Sequence, residues 1–313
     1  TGAGTGTEAV VVRDASVVML AQNLRRLRRI QENFQPEKHS RSIEFCEKFA
    51  ARNSTPSIEP LAVKPGQLAR YITLFHYELF YAVDPPELMD SKWNNDKDGC
   101  PNLRRYVDHF NLFSRWIAHT VISPVTPKER AAVFHRWLQV ANICRQHQNY
   151  TAVFAILGGV LSTAVYRLKQ TTRKLSKEAE DLLQELKDAM SPRGSYASYR
   201  KVLAACEPPC IPYLGLVLQD LTFIEDGNPD MLGEAINFGK RKQVFNAVSH
   251  VLRFQPHGYL INSDGIVSSL GAVKTLSRPQ LPSEAFFFFK LPIIWEDELY
   301  NLSIQREPKN PTY

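Results

Sequence analysis

The segment from Pro208 to Phe238 leaves this chain few choices. Pro208, Pro209 and Pro212 bracket Cys210 and Ile211, and a mainly apolar run follows from Tyr213 to Phe223. Proline has no amide hydrogen and its ring collides with the preceding turn. A helix therefore cannot pass through these residues but can begin just after them. Glu225, Asp226, Gly227, Asn228 and Pro229 make an acidic turn, and Ile236, Asn237 and Phe238 open a longer helical pattern. The expected result is a helical hairpin with a sharply defined, negatively charged tip.

Helical spacing dominates elsewhere too. From Gln67 to Phe80 apolar residues recur at helix intervals until Pro85 and Pro86 stop the pattern, and further helices are expected over Leu103–Val121, Pro127–Gln148, Tyr150–Val160 and Lys177–Met190. Gly158 and Gly159 inside an apolar helix suggest close packing. Strand-like alternation is scarce, with Gly258–Ile261 and Phe286–Phe289 the best candidates. The fold class expected is all-α. Residues 1–16, which open Thr-Gly-Ala-Gly-Thr-Gly-Thr, read as a flexible linker, residues 17–58 as N-terminal flanking helices and residues 59–310 as one large domain. In the flank, Val17, Leu20, Leu24, Leu27 and Phe34 trace an apolar stripe opposite Arg25, Arg26, Arg28 and Arg29. That basic side suits a solvated face, or a membrane or partner site. Asn53–Pro65 reads as a linker.

Composition narrows the function. Of 313 residues, 44% are hydrophobic and 22% charged, values of an ordinary globular protein. No apolar run approaches the roughly 20 residues of a membrane-spanning helix. The net charge of +6 is compatible with an anionic membrane surface or an acidic partner, but no basic, aromatic-interleaved stripe suggests nucleic acid. Five scattered cysteines argue for a reducing cytosolic setting and against a disulfide framework, and Cys206 and Cys210 lack the spacing of a zinc pair. His119, His135 and His147 lie apart on helical patterns, away from any nucleophile or ligand spacing. Neither a metal nor a cofactor is expected.

Five blocks, in order, resemble the catalytic domain of the Ras-family guanine-nucleotide exchange factors. They are Gln67-Leu68-Ala69 through Ala82–Leu88 with Trp93; Phe110-Asn111-Leu112-Phe113-Ser114-Arg115-Trp116; Arg130–Val133 with Ala152–Ile156 and Leu161–Leu168; the hairpin; and Glu296–Tyr300 with Arg306-Glu307-Pro308. The resemblance covers about residues 60–310. It implies a mostly helical bowl with a protruding hairpin, gripping the nucleotide-binding face of a Ras, Rap or Ral type GTPase without covalent chemistry. An exchange factor prefers the nucleotide-free GTPase, so by linkage it weakens nucleotide binding by the same factor. The hairpin wedges open the first switch segment. Apolar side chains crowd the magnesium site, and an acid competes with phosphate for the P-loop lysine. The alternative is a catalytically weak domain of the same fold that binds a GTPase or an adaptor.

Carried over position by position, Thr222, Phe223, Glu225 and Asp226 are the wedge and its charge. Thr222 stands where the family often has an apolar residue, which shifts the steric role toward Phe223 or Leu221. Asp226 stands where glutamate is usual. Tyr213 matches an aromatic of the hairpin base that meets the second switch, or else packs the hairpin as core. Leu161 replaces a common asparagine, and Ser195 a histidine of some members. Tyr196, Gln219 and Gln243 are grouped with them as partner-contacting positions. Arg167 of the VxRL motif is expected to brace helices, Asn237 and Phe238 to anchor the hairpin, and Lys240, Arg241 and Lys242 to form a basic face open to solvation. A cytoplasmic protein, recruited to the inner membrane surface, fits this picture.

Overall fold

Three of the longest helices begin with proline: α1 (Pro65–Ala82), α3 (Pro101–Ile122) and α4 (Pro127–Gln146). At the first helical position the missing amide hydrogen costs nothing and the fixed φ is already helical. The computed structural model describes residues 61–95, 99–261, 267–269, 287–288 and 290–308. The chain divides into two compact units, Thr1–Gln35 and Pro36–Tyr313, and all described residues belong to the second. The linker and flanking helices expected over 1–58 lie outside the described residues.

The other helices are α2 (Lys92–Asn95), α5 (Tyr150–Val160), α6 (Thr163–Tyr166), α7 (Lys169–Thr172), α8 (Lys177–Ala189), α9 (Arg193–Ala205), α10 (Leu214–Gly227), α11 (Phe238–Leu252) and α12 (Glu296–Arg306). A 3₁₀ helix (Pro85–Leu88) and two short antiparallel pairs complete the described elements: β1 (Met231–Leu232) with β2 (Ala235–Ile236), and β3 (Tyr259–Ile261) with β4 (Val267–Ser269). The fold is all-α, as the periodicity requires. Phe287, Phe288 and Lys290 lie in 3₁₀ conformation, so the strand expected at Phe286–Phe289 is absent from the residues described there. Phe288 is instead buried against Phe75, Phe113 and Trp116. The apolar run serves the core as aromatic filling.

α1, α3, α4 and α5 enclose that core. A Cβ on Gly159 of α5 would lie 2.6 Å from the Ser114 carbonyl oxygen and 2.9 Å from Ile117 of α3, so only glycine lets these two helices approach this closely. α4 ends at Gln146, two residues earlier than its pattern suggests, because Gln148 adopts a left-handed φ of 56°. Asn149 then caps α5 by accepting from the Ala152 amide at 3.0 Å.

A buried polar knot closes the C-terminal side. Arg130, fully buried, donates to Glu307 at 2.9 Å, to Thr171 at 2.8 Å and to the Val125 carbonyl at 2.7 Å. Glu307 also accepts from the backbone amides of Gln170 and Thr171, at 2.9 and 3.0 Å. Burial pushes the Glu307 carboxyl up, yet these hydrogen bonds together hold it below its ordinary value. Arg167 donates to the carbonyls of Ser303 and Glu307 at 2.6 and 2.7 Å, tying α6 to α12.

Candidate functional site

The proline-rich entry to the hairpin is pinned carbonyl by carbonyl. Gln148 donates to the Glu207 and Pro209 carbonyls, each at 3.0 Å, and Thr151 donates to that of Pro212 at 2.9 Å. Ile211 accepts from the Tyr150 amide at 2.9 Å and donates to the Gln148 carbonyl at 3.0 Å, pairing with Asn149 between them. α10 therefore leaves from the start of α5, at a fixed point. Tyr213, the residue preceding α10, stacks on Phe154 with ring centroids 4.3 Å apart and meets Phe110 at 5.1 Å. Its amide donates to the Tyr199 hydroxyl at 2.9 Å. A side chain at Gly215 would collide with the Tyr213 ring, so the glycine is what lets the tyrosine fold back here. Phe154 also contacts Tyr196 at 5.8 Å. Two residues far apart in sequence, Tyr196 and Tyr213, thus share one aromatic platform.

The hairpin tip is more built than a bare turn. Between α10 and α11 the β1–β2 pair turns at Gly233, whose φ of 63° favours glycine. Asn237 caps α11 by accepting from the Lys240 amide at 3.1 Å and donates to the Pro229 carbonyl at 2.9 Å. Lys240 itself is only 3% exposed and pairs with Glu225 at 2.6 Å and with Asp230 at 3.0 Å. The hydrogen bond to the Glu225 carboxylate, outweighing the lowering by burial and joined by Asp230, raises the Lys240 pKa. Lys240 is therefore a brace across the hairpin, in contrast to the solvated face its basic neighbours suggest. Arg241 and Lys242 are exposed, and Arg241 reaches Asp230 at 2.9 Å.

The proposed wedge residues separate by environment. Phe223 is 66% exposed, whereas Leu221 is buried at 1%, which removes Leu221 as a wedge. The Thr222 hydroxyl donates to the Leu218 carbonyl at 2.9 Å within its own helix, so its polarity is satisfied locally. Glu225 is engaged by Lys240. Asp226 is exposed, and among the described residues its carboxylate has no hydrogen bond or ion pair. Two adjacent acids thus have opposite settings. Phe238, expected as hairpin-anchoring core, is 58% exposed, because capping by Asn237 anchors the helix start without it. With Phe223, Met231, Leu232 and Ile236 it makes an exposed apolar set at this end of the hairpin.

Gln219 and Gln243 are exposed on α10 and α11, and Leu161 is 38% exposed where α5 ends. Ser195 is exposed and Tyr196 half-buried, in a left-handed turn with Gly194: φ is 57°, 53° and 63° at residues 194 to 196. Arg167 is committed to α12, through bonds within the protein. Sequence reasoning did not single out Phe154, Lys240 as a brace, or the pair of Arg200 with Asp220. Gly194 was a signal for the left-handed turn, but nothing local marks the rest.

The family model described as "RasGEF domain" matches residues 67–242. "Ras guanine nucleotide exchange factor J" of Dictyostelium discoideum is 34% identical over 257 residues, covering 81% of this chain and 30% of that protein. "Ras-specific guanine nucleotide-releasing factor 2" of Danio rerio is 32% identical over 248 residues, covering 78% of this chain and 19% of that protein. The chain thus spans less than a third of the length of these relatives. The matched segment exceeds half of the chain and runs from α1 into α11, hairpin included, and the chain belongs to the RasGEF domain family.

Proposed function

We propose that this domain is a guanine-nucleotide exchange factor for a Ras-family small GTPase, with the α10–α11 hairpin as the part that opens the nucleotide site. The observation that carries the reading is the exposure of Phe223 and Asp226 on a helix whose Asp220, Thr222 and Glu225 side chains are engaged within the protein. A wedge needs apolar bulk and negative charge at the surface of something that does not yield. Here Lys240, Glu225, Asp230 and Asn237 supply the stiffness, leaving Phe223 for steric pressure and Asp226 for the P-loop lysine. The aromatic platform of Tyr213, Phe154 and Tyr196 then meets the second switch. No covalent step is involved; the work is differential binding to the nucleotide-free partner.

Leu161 favours a second reading. It is exposed where the family commonly has asparagine and offers no side-chain hydrogen bond, which suits a scaffold that binds without strong catalysis. Release of a fluorescent GDP analogue from purified Ras, Rap and Ral, alongside binding to each nucleotide-free form, tests both. Acceleration with one of them supports exchange and identifies the substrate class. Tight binding without acceleration supports the scaffold, and neither across the panel defeats both.

A further inference from the structure

Arg200 of α9 touches two parts of the proposed interface at once. Its Nη1 and Nη2 donate to the two carboxylate oxygens of Asp220 on α10, at 2.6 and 2.7 Å, and its Nε donates to the Ser195 carbonyl at 2.7 Å. The planar guanidinium fork matches a carboxylate in this bidentate way and keeps a third donor for the turn. The turn and α10 are otherwise joined through Tyr196 on the Phe154–Tyr213 platform and through the Tyr199 hydroxyl, which accepts from the Tyr213 amide. Ser195 and Tyr196 are left-handed, a conformation that costs non-glycine residues about 1–2 kcal/mol each. α9, α10 and α11 also leave a cavity of about 350 Å³ between them, whose lining includes Leu203, Leu216, Val217, Asn246 and His250 as well as Arg200 and Asp220. Where close packing is missing, a polar clamp sets the distance between helices.

We propose that Arg200 is a positioning residue that couples the Ser195–Tyr196 turn to α10 and so fixes the angle at which the hairpin leaves the domain. The angle matters only if the hairpin is the wedge, so the functional part of this inference rests on the exchange reading. Phe223 and Asp226 lie three and six residues beyond Asp220, and a tilt of α10 at the clamp displaces both. The coupling itself is a property of the free domain and is open to test without any GTPase.

Asp220→Asn is nearly isosteric and does not touch the turn. Hydrogen–deuterium exchange on the wild-type domain, on Asp220→Asn and on Arg200→Met is expected to show faster exchange at residues 193–199 in both variants. Arg200→Lys, with one point charge, is expected to fall between Arg200→Met and wild type. With the responsive GTPase, Asp220→Asn lowers the maximal exchange rate about fivefold, the size of one good partly exposed ion pair, with little change in KM. Unaltered protection of 193–199 in Asp220→Asn overturns the coupling, and an unaltered maximal rate in a variant with lost protection overturns its role in exchange. If wild type accelerates no GTPase, the exchange reading falls, and the deuterium data alone still decide whether the coupling exists.

Discussion

The knot around Glu307 and the tip around Asp226 use the same chemistry to opposite ends. At Glu307 a buried carboxylate meets a buried guanidinium, two amides and a hydroxyl, so that little of its hydrogen-bonding capacity remains for anything outside. At the tip, one carboxylate, Glu225, is consumed by Lys240, and its neighbour Asp226 stands in solvent beside an exposed Phe223. A region whose polar groups are all satisfied internally can only be scaffold. One that leaves charge and apolar surface exposed on a braced frame is shaped for a partner.

The largest expected effect lies in the knot. Glu307→Ala strands the buried Arg130 charge and should cost about 3–5 kcal/mol, read as a lower urea midpoint, whereas exchange per folded molecule should hold. An unchanged midpoint would mean that the knot is not what closes the scaffold.

Acid should attack the scaffold in the same way. Burial lowers His76 from the ordinary 6.5 to about 4, against a smaller opposing pull from its hydrogen bond with Asn149, and it lowers buried His109 as well. The unfolded chain takes these protons first, so stability is intact above about pH 6.5 and declines as pH falls toward 4. The loss is roughly 3 kcal/mol from His76 alone. Unfolding free energies measured between pH 7.5 and 4.5 should show this slope, reduced in His76→Gln; a flat profile would refute it.

The tip predicts the reverse pattern. Phe223→Ala with Asp226→Ala should slow exchange by about 30-fold or more, the loss expected of an interface hot spot, and move stability by no more than about 0.5 kcal/mol. A well-folded double variant with normal exchange would take the hairpin out of the mechanism. Lys240→Met sharpens the comparison because it sits between the two classes. It should cost about 1–2 kcal/mol in stability and also weaken exchange, through a hairpin that has lost its brace. Loss of stability with exchange per folded molecule intact would assign Lys240 to the scaffold alone. The smallest effect is expected at Leu161→Asn, which should strengthen binding to the nucleotide-free GTPase by less than about fivefold, the value of one hydrogen bond. Weaker binding would show that leucine makes a contact of its own there.

Much of this was legible along the chain. Proline positions and apolar spacing sufficed for α1, α3, α4, α5, α8, α10 and α11, because helix periodicity and proline's missing donor act within a few residues. Glu225 and Asp226 were visible as an acidic tip for the same reason. Their division of labour was not, since it depends on Lys240, 15 and 14 residues away and brought back by the hairpin. Phe238 looked like core and is exposed, while the run at Phe286–Phe289 looked like strand and serves as core filling at Phe288. In both cases the local pattern is real but the burial is set by what packs opposite. Arg200 and its two partners were silent in the sequence, because a clamp between helices is a fact of distance. The sequence by itself placed these helices, though not α9 or α12, and showed which residues carry charge. Tertiary structure alone decided which charges are spent within the protein and which remain for a partner, because pairing energies fall off over a few ångströms and only the fold sets those separations.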